Sequence, residues 1–118
     1  MLWVEIAETP TKLAQGLMFR PKVPEDTGML FMFHTPQKLR FWGRNTLVPL
    51  DIAFIDSNDK ISKISRIKSM SDHVVMSEAD CVMAIEANVG YFEVNKIKVG
   101  HKIEVKRMGK NACILFLK

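Results

Sequence analysis

Phe41-Trp42-Gly43-Arg44-Asn45-Thr46-Leu47-Val48-Pro49-Leu50-Asp51-Ile52 sets an Arg, an Asn, a Thr and an Asp between large apolar residues. Taking a carboxylate or guanidinium out of water costs on the order of several kcal/mol unless the charge is paired, so the segment holds either an internal polar brace or a site. Its second half runs on as a strand from Leu50 to Ile55, with Leu50, Ile52 and Phe54 on one alternating face and Asp51, Ala53 and Ile55 on the other. Both faces are largely apolar, which implies a strand covered from two sides.

Two more stretches share that character. Met29-Leu30-Phe31-Met32-Phe33 is apolar on both faces, and Cys81 to Glu86 is too until Glu86 ends it. Around them the chain reads as short strands between turns. Leu2, Val4 and Ile6 alternate with Trp3, Glu5 and Ala7, and Lys102 to Lys106 and Cys113 to Leu117 read as strands. A turn is expected at Thr35-Pro36-Gln37, followed by a short strand near Arg40 to Trp42, and Asp56-Ser57-Asn58-Asp59 closes a hairpin. Lys60 to Ile67 fits a strand with a bulge, the alternative being a short Ser-rich helix. Thr9-Pro10 opens a short helix whose one face carries Leu13, Ala14 and Leu17 and which stops near Gly16 to Met18, and Asn88 to Asn95 reads as one or two helical turns. Arg20 to Gly28 has the punctuation of a loop. The expected fold is all-β with one or two short helices, a sandwich or barrel-like single domain over residues 1–118.

Totals narrow the function classes. A chain of 118 residues, 47% hydrophobic and 25% charged, suits one core. No run approaches the roughly 20 apolar residues that cross a bilayer, and Met1-Leu2-Trp3-Val4-Glu5 does not open like an export signal. The expected compartment is cytoplasmic for the chain as it stands, and extracytoplasmic if an export segment has been removed. Cys81 and Cys113 sit in apolar company, which favours buried thiols over a disulfide. The net charge of +4 gathers in the last quarter, where Phe116 is the only aromatic after Phe92, so a solvated basic face is preferred to a nucleic-acid surface. His34, His73 and His101 show no zinc spacing, and no metal or cofactor is expected. Glycines stand singly, without a phosphate-cradling loop, and no serine lies in a nucleophile elbow. Oligomeric state leaves no mark in the sequence.

Three readings of the polar residues remain open. In the first, Asp51 caps the turn before its strand and Arg44 braces it as a structural knot. In the second, Arg20, Arg44, Asn45, Asp51 and Glu86 rim a pocket floored by Trp42. Arg supplies forked donors for a carboxylate or phosphate, Asn reads hydroxyls, and Trp offers a flat face for a sugar or other ring. Charge demand suggests Arg44 as the partner of Asp51 and Arg20 as that of Glu86. In the third, Asp51 and Glu86 divide acid and base roles in a hydrolase or lyase. The expectation taken forward is a binding module for a small anionic or hydroxyl-rich ligand, using Arg20, Trp42, Arg44, Asn45, Asp51 and Glu86. The enzyme and a ligand-free structural or interaction domain are its rivals.

Gly16-Leu17-Met18-Phe19-Arg20, Gly28-Met29-Leu30-Phe31, Phe41-Trp42 with Asn45-Thr46, and Pro49-Leu50-Asp51-Ile52 come in an order and spacing that resembles the small bacterial and archaeal proteins of domain-of-unknown-function family 192. Ile85-Glu86 followed by Gly90, and Val99-Gly100, extend the match, which runs from Val4 to about Val105. The resemblance implies a β-rich, sandwich-like fold and no established activity. Members usually have Met-Lys where this chain has Gly43-Arg44, a swap expected either to widen a pocket beside Trp42 or to loosen the bend. Many members also carry an export or lipid-attachment segment, which the chain as read does not begin with.

Overall fold

The three strands that are apolar on both faces lie together in the middle of one seven-stranded sheet, as their sequences demand. A computed structural model describes residues 1–118. In chain order the elements are β1 (Leu2–Ala7), α1 (Pro10–Gln15), β2 (Thr27–Gln37), β3 (Arg40–Phe41), β4 (Leu50–Ile55), β5 (Ile61–Ile67), β6 (Val75–Met76), β7 (Cys81–Asn88), α2 (Tyr91–Val94), β8 (Lys102–Met108) and β9 (Asn111–Leu117). The large sheet runs β5-β4-β7-β2-β1-β9-β8, so β4, β7 and β2 are neighbours, and β3 pairs with β6 in a separate ribbon. Mostly strand, with two short helices, the chain has the all-β, sandwich-like architecture expected. Neither helix is long and apolar enough to cross a membrane.

Only β1 and β2 pair in parallel. A parallel neighbour needs a crossover, and α1 with the proline-rich loop supplies it. Thr9 caps α1 by accepting a hydrogen bond from the Lys12 N–H through its hydroxyl, and Pro10 holds the first turn. Gly16 ends the helix at φ 50°, a left-handed angle that favours glycine. The outer strands approach each other at one end: Lys60 bridges to Lys102, and the Ile103 N–H donates to the Asp59 carbonyl at 2.9 Å. That contact curls the sheet.

Alternation along the strands then separates two apolar groups. One face buries Leu30, Ala53, Ile55, Ile85 and Ala87 with Phe92 of α2, inside the curl. The other buries Met29, Phe31, Ile52, Phe54 and Ala84 with Leu17 and Leu39, beneath α1 and the β3–β6 ribbon. Gly28 lets β2 and β7 close up, since a Cβ there would lie 2.1 Å from the Glu86 carbonyl oxygen.

Several local expectations hold. The Asp56 carboxylate accepts from the Asn58 and Lys60 N–H groups in the β4–β5 hairpin, and the register passes from Phe54↔Lys63 to Ile55↔Ile61, which leaves Ser62 unpaired as the bulge expected in Lys60 to Ile67. Cys81 and Cys113 are free, buried thiols. One expectation fails: Thr35-Pro36-Gln37 is not a turn, because β2 continues through Gln37, whose register partner is Cys81. The two-residue strand β6 was not anticipated, being too short to show a period.

Candidate functional site

Glu86 lies near the C-terminal end of β7, opposite Met29 of β2 and Ile52 of β4. Residues paired across a sheet share a face, so the Glu86 side chain projects among Met29, Phe31 and Ile52, on the side roofed by α1. It is 5% exposed, and no hydrogen bond or ion pair reaches its carboxyl group. Burial alone pushes its pKa up to about 8, because nothing nearby repays the lost hydration of a carboxylate. The carboxyl opens into a cavity of about 370 Å³ between α1 and the β3 strand. Leu13 and Leu17 close it from the α1 side, while Phe31, Phe33, Phe41 and Trp42 furnish aromatic walls. Phe41 packs edge-on against Phe31, ring centroids 4.9 Å apart, and tilts against Phe54 at 5.9 Å, which ties the wall into the core.

Trp42 stands at the outer side, 40% exposed. The Arg44 guanidinium carbon lies 4.7 Å from the centre of its ring, and Arg44 Nε donates to Asp72 at 3.1 Å. The bend between these residues and β4 is held by backbone. Asn45 sits in the left-handed region (φ 56°), and its carbonyl accepts from the Phe19 N–H at 2.8 Å. Gly43 donates its N–H to the Ser71 carbonyl at 3.0 Å, and a Cβ on it would come within 1.8 Å of the Lys68 carbonyl oxygen. Gly43 does not line the cavity, and its missing Cβ lets the loop lie against the Lys68 backbone.

The expected pairings are therefore corrected. Arg20 does not meet Glu86: it forms a forked ion pair with Glu5 on β1, which holds the Glu5 carboxyl below the usual range. Asp51 does not meet Arg44 either. Its carboxylate accepts from Arg66 Nε at 3.1 Å and from the Gly90 N–H at 2.8 Å, so it braces the β4–β5 pair to the turn before α2. Arg66 is its cross-strand partner in register, a relation implicit in the hairpin length. Asp51 stands opposite Ala87, one residue from Glu86, and so leaves the sheet on the other face. Two carboxyls on opposite faces cannot share acid and base duties on one bound molecule, which removes the geometric basis of the hydrolase or lyase alternative. Of the six residues expected at one site, Trp42 and Glu86 line the cavity, Arg44 stacks on the outer tryptophan, and Arg20, Asn45 and Asp51 serve elsewhere. From sequence Leu13 and Leu17 belong to one face of a short helix and Phe31, Phe33 and Phe41 to strands, and only the placement of α1 over the sheet turns them into walls.

Solved structures share this architecture. A protein of Sinorhizobium meliloti 1021, described as a candidate transcription regulator, superposes with a TM-score of 0.84 at 33% identity, covering 87% of this chain and 81% of that one. A protein of unknown function from Novosphingobium aromaticivorans gives 0.82 at 31% identity, over 86% of this chain and 73% of its own. A search of functionally curated proteins finds no match. The profile of domain of unknown function 192, described as an uncharacterized ACR, matches residues 1–105. The chain belongs to that family.

Proposed function

We propose that this is a single-domain binding module whose α1-roofed cavity takes a small ligand with a ring or apolar body and one polar head seated on Glu86. One observation carries the reading: Glu86, a residue only 5% exposed, turns a carboxyl without a protein partner toward an aromatic-walled cavity of about 370 Å³. Natural cores pair such groups, so a lone one directed at empty space is better explained by a ligand than by folding. The size also suits a small molecule. Of the ligand chemistries considered from sequence, the hydroxyl-rich one is favoured over the anionic one, because the cavity presents the Glu86 carboxyl, Arg20 and Arg44 are engaged by Glu5 and Asp72, and the one cation in the lining, Arg40, is exposed. A small-ligand site is compatible with the regulator description of the S. meliloti relative, where binding would act as the signal.

Thermal-shift measurements against glucose, inorganic phosphate, benzoate, benzyl alcohol and benzylamine test it, since a ligand that binds only the native state raises its melting temperature. At least one ring-bearing compound is expected to do so, and Glu86→Ala and Trp42→Ala are each expected to diminish the rise. A silent panel, or a rise indifferent to both substitutions, overturns the reading.

A further inference from the structure

The floor and walls of the cavity narrow the ligand class beyond a generic polar head. A buried carboxyl can be satisfied by keeping a proton, by accepting from a neutral donor or by meeting a cation. Its surroundings favour the cation. Four aromatic residues line the cavity, Phe31, Phe33, Phe41 and Trp42, and aromatic faces attract positive charge. Of the nearby cations, Arg20 is committed to Glu5, Arg44 to Asp72 and Arg66 to Asp51, while Arg40, which lines the cavity without an ion pair of its own, is exposed and makes no bond to Glu86. An anionic head would face the carboxyl itself. A hydroxyl would satisfy the carboxyl but leave the rings without an electrostatic role.

We propose that the head group taken by this cavity is a protonated primary amine on a small aromatic or apolar body, an inference that rests on the ligand-binding reading above. The ammonium N–H groups donate to the Glu86 carboxylate while the body packs against Phe31, Phe41 and Trp42. A charge-assisted contact of this kind is stronger than its neutral counterpart.

Proton balance follows. Burial raises Glu86 to about 8, so at neutral pH the empty cavity holds the acid form. The amine arrives as R–NH3+, the bound pair is R–NH3+ with a carboxylate, and the only bond broken is the Glu86 O–H, whose proton passes to the buffer. Among the groups lining the cavity from α1, β2 and β3, the only other charged one is Arg40, which is exposed; the register neighbours Met29 and Ile52 do not titrate. Proton release is thus attributable to Glu86.

Isothermal titration of the full chain with benzylamine, benzyl alcohol and benzoate tests the proposal, performed at about pH 7 and about pH 9 in pairs of buffers with different ionisation enthalpies. Benzylamine is expected to bind about tenfold or more tighter than benzyl alcohol, the value of one charge-assisted hydrogen bond. Close to one proton should leave per binding event at about pH 7 and far less at about pH 9, where Glu86 is already ionised. Glu86→Gln should weaken benzylamine about tenfold and abolish proton release. Should that variant fail to fold, the wild-type proton count and the alcohol comparison still decide. Equal or tighter binding of benzyl alcohol or benzoate, an absent proton release, or no binding by any of the three overturns the amine. Binding of the alcohol or the benzoate leaves the cavity reading standing; that reading falls only with the wider thermal-shift panel.

Discussion

Asp51 and Glu86 occupy adjoining central strands one register step apart, are 7% and 5% exposed, and have opposite fates. Asp51 is met by a guanidinium and a backbone N–H, and its charge ties two strands to a turn. Glu86 is met by nothing and keeps a proton near neutrality. Sheet alternation alone sends one side chain toward Arg66 and the other under α1. The contrast teaches that burial does not by itself mark a functional acid. What distinguishes the two is whether the protein supplies the partner.

The sharpest way to break this contrast is a stability profile against pH. The folded-state pKa of Glu86 is raised above the unfolded carboxylate value, so the native chain holds a proton that the unfolded chain has released between about pH 4.5 and about pH 8. Stability contributed by this group is complete below that window and declines as pH rises through it, by on the order of 5 kcal/mol if the ionised form finds no relief. Glu86→Gln should remove most of that slope in chemical denaturation. A wild-type profile as flat as the variant's would mean that the carboxyl is hydrated or paired after all. Asp51→Ala comes next. It strands the Gly90 N–H and frees an Arg66 that is more than half exposed, and should cost about 2–3 kcal/mol. A loss below about 0.5 kcal/mol would show that Asp51 is no brace. The smallest effect is expected at the outer cation. Arg44 and Asp72 are both more than half exposed, so Asp72→Ala should change stability by less than about 1 kcal/mol, and salt should erase even that.

Much of the architecture was legible because it rests on local pattern. Leu50–Ile55, Met29–Phe33 and Cys81–Glu86 announce themselves as central strands by being apolar on both faces, and Asp56 to Asp59 announces a hairpin. The parallel pairing of β1 and β2 was not legible, since no local feature separates a crossover from a loop before a hairpin. The candidate site was half legible for the same reason. Asp51 and Glu86 were conspicuous as acids in oily strands, and Trp42 as an indole beside a bend. The partner of Asp51 was not, because Arg66 is set by register between strands, and chain proximity pointed to Arg44 instead; nor was the pairing of Arg20 with Glu5, because the fold alone brings the Arg20 loop onto β1. Leu13 and Leu17 show the remaining gap: a helical apolar face looks alike whether it lies flat on a core or spans a hollow.

The roof over Glu86 is a six-residue helix that contributes no fully buried side chain, whereas the floor is three hydrogen-bonded central strands. An isolated helix of that length barely persists in water, and it is held here by its cap, by half-buried Leu13 and by Leu17 just beyond its end. Amide protons of residues 11–15 should consequently exchange long before those of β7, because the helix can lift while the sheet stays intact. Passage in and out of the hollow then needs only a turn or two of backbone to loosen, leaving the carboxyl at a fixed depth throughout.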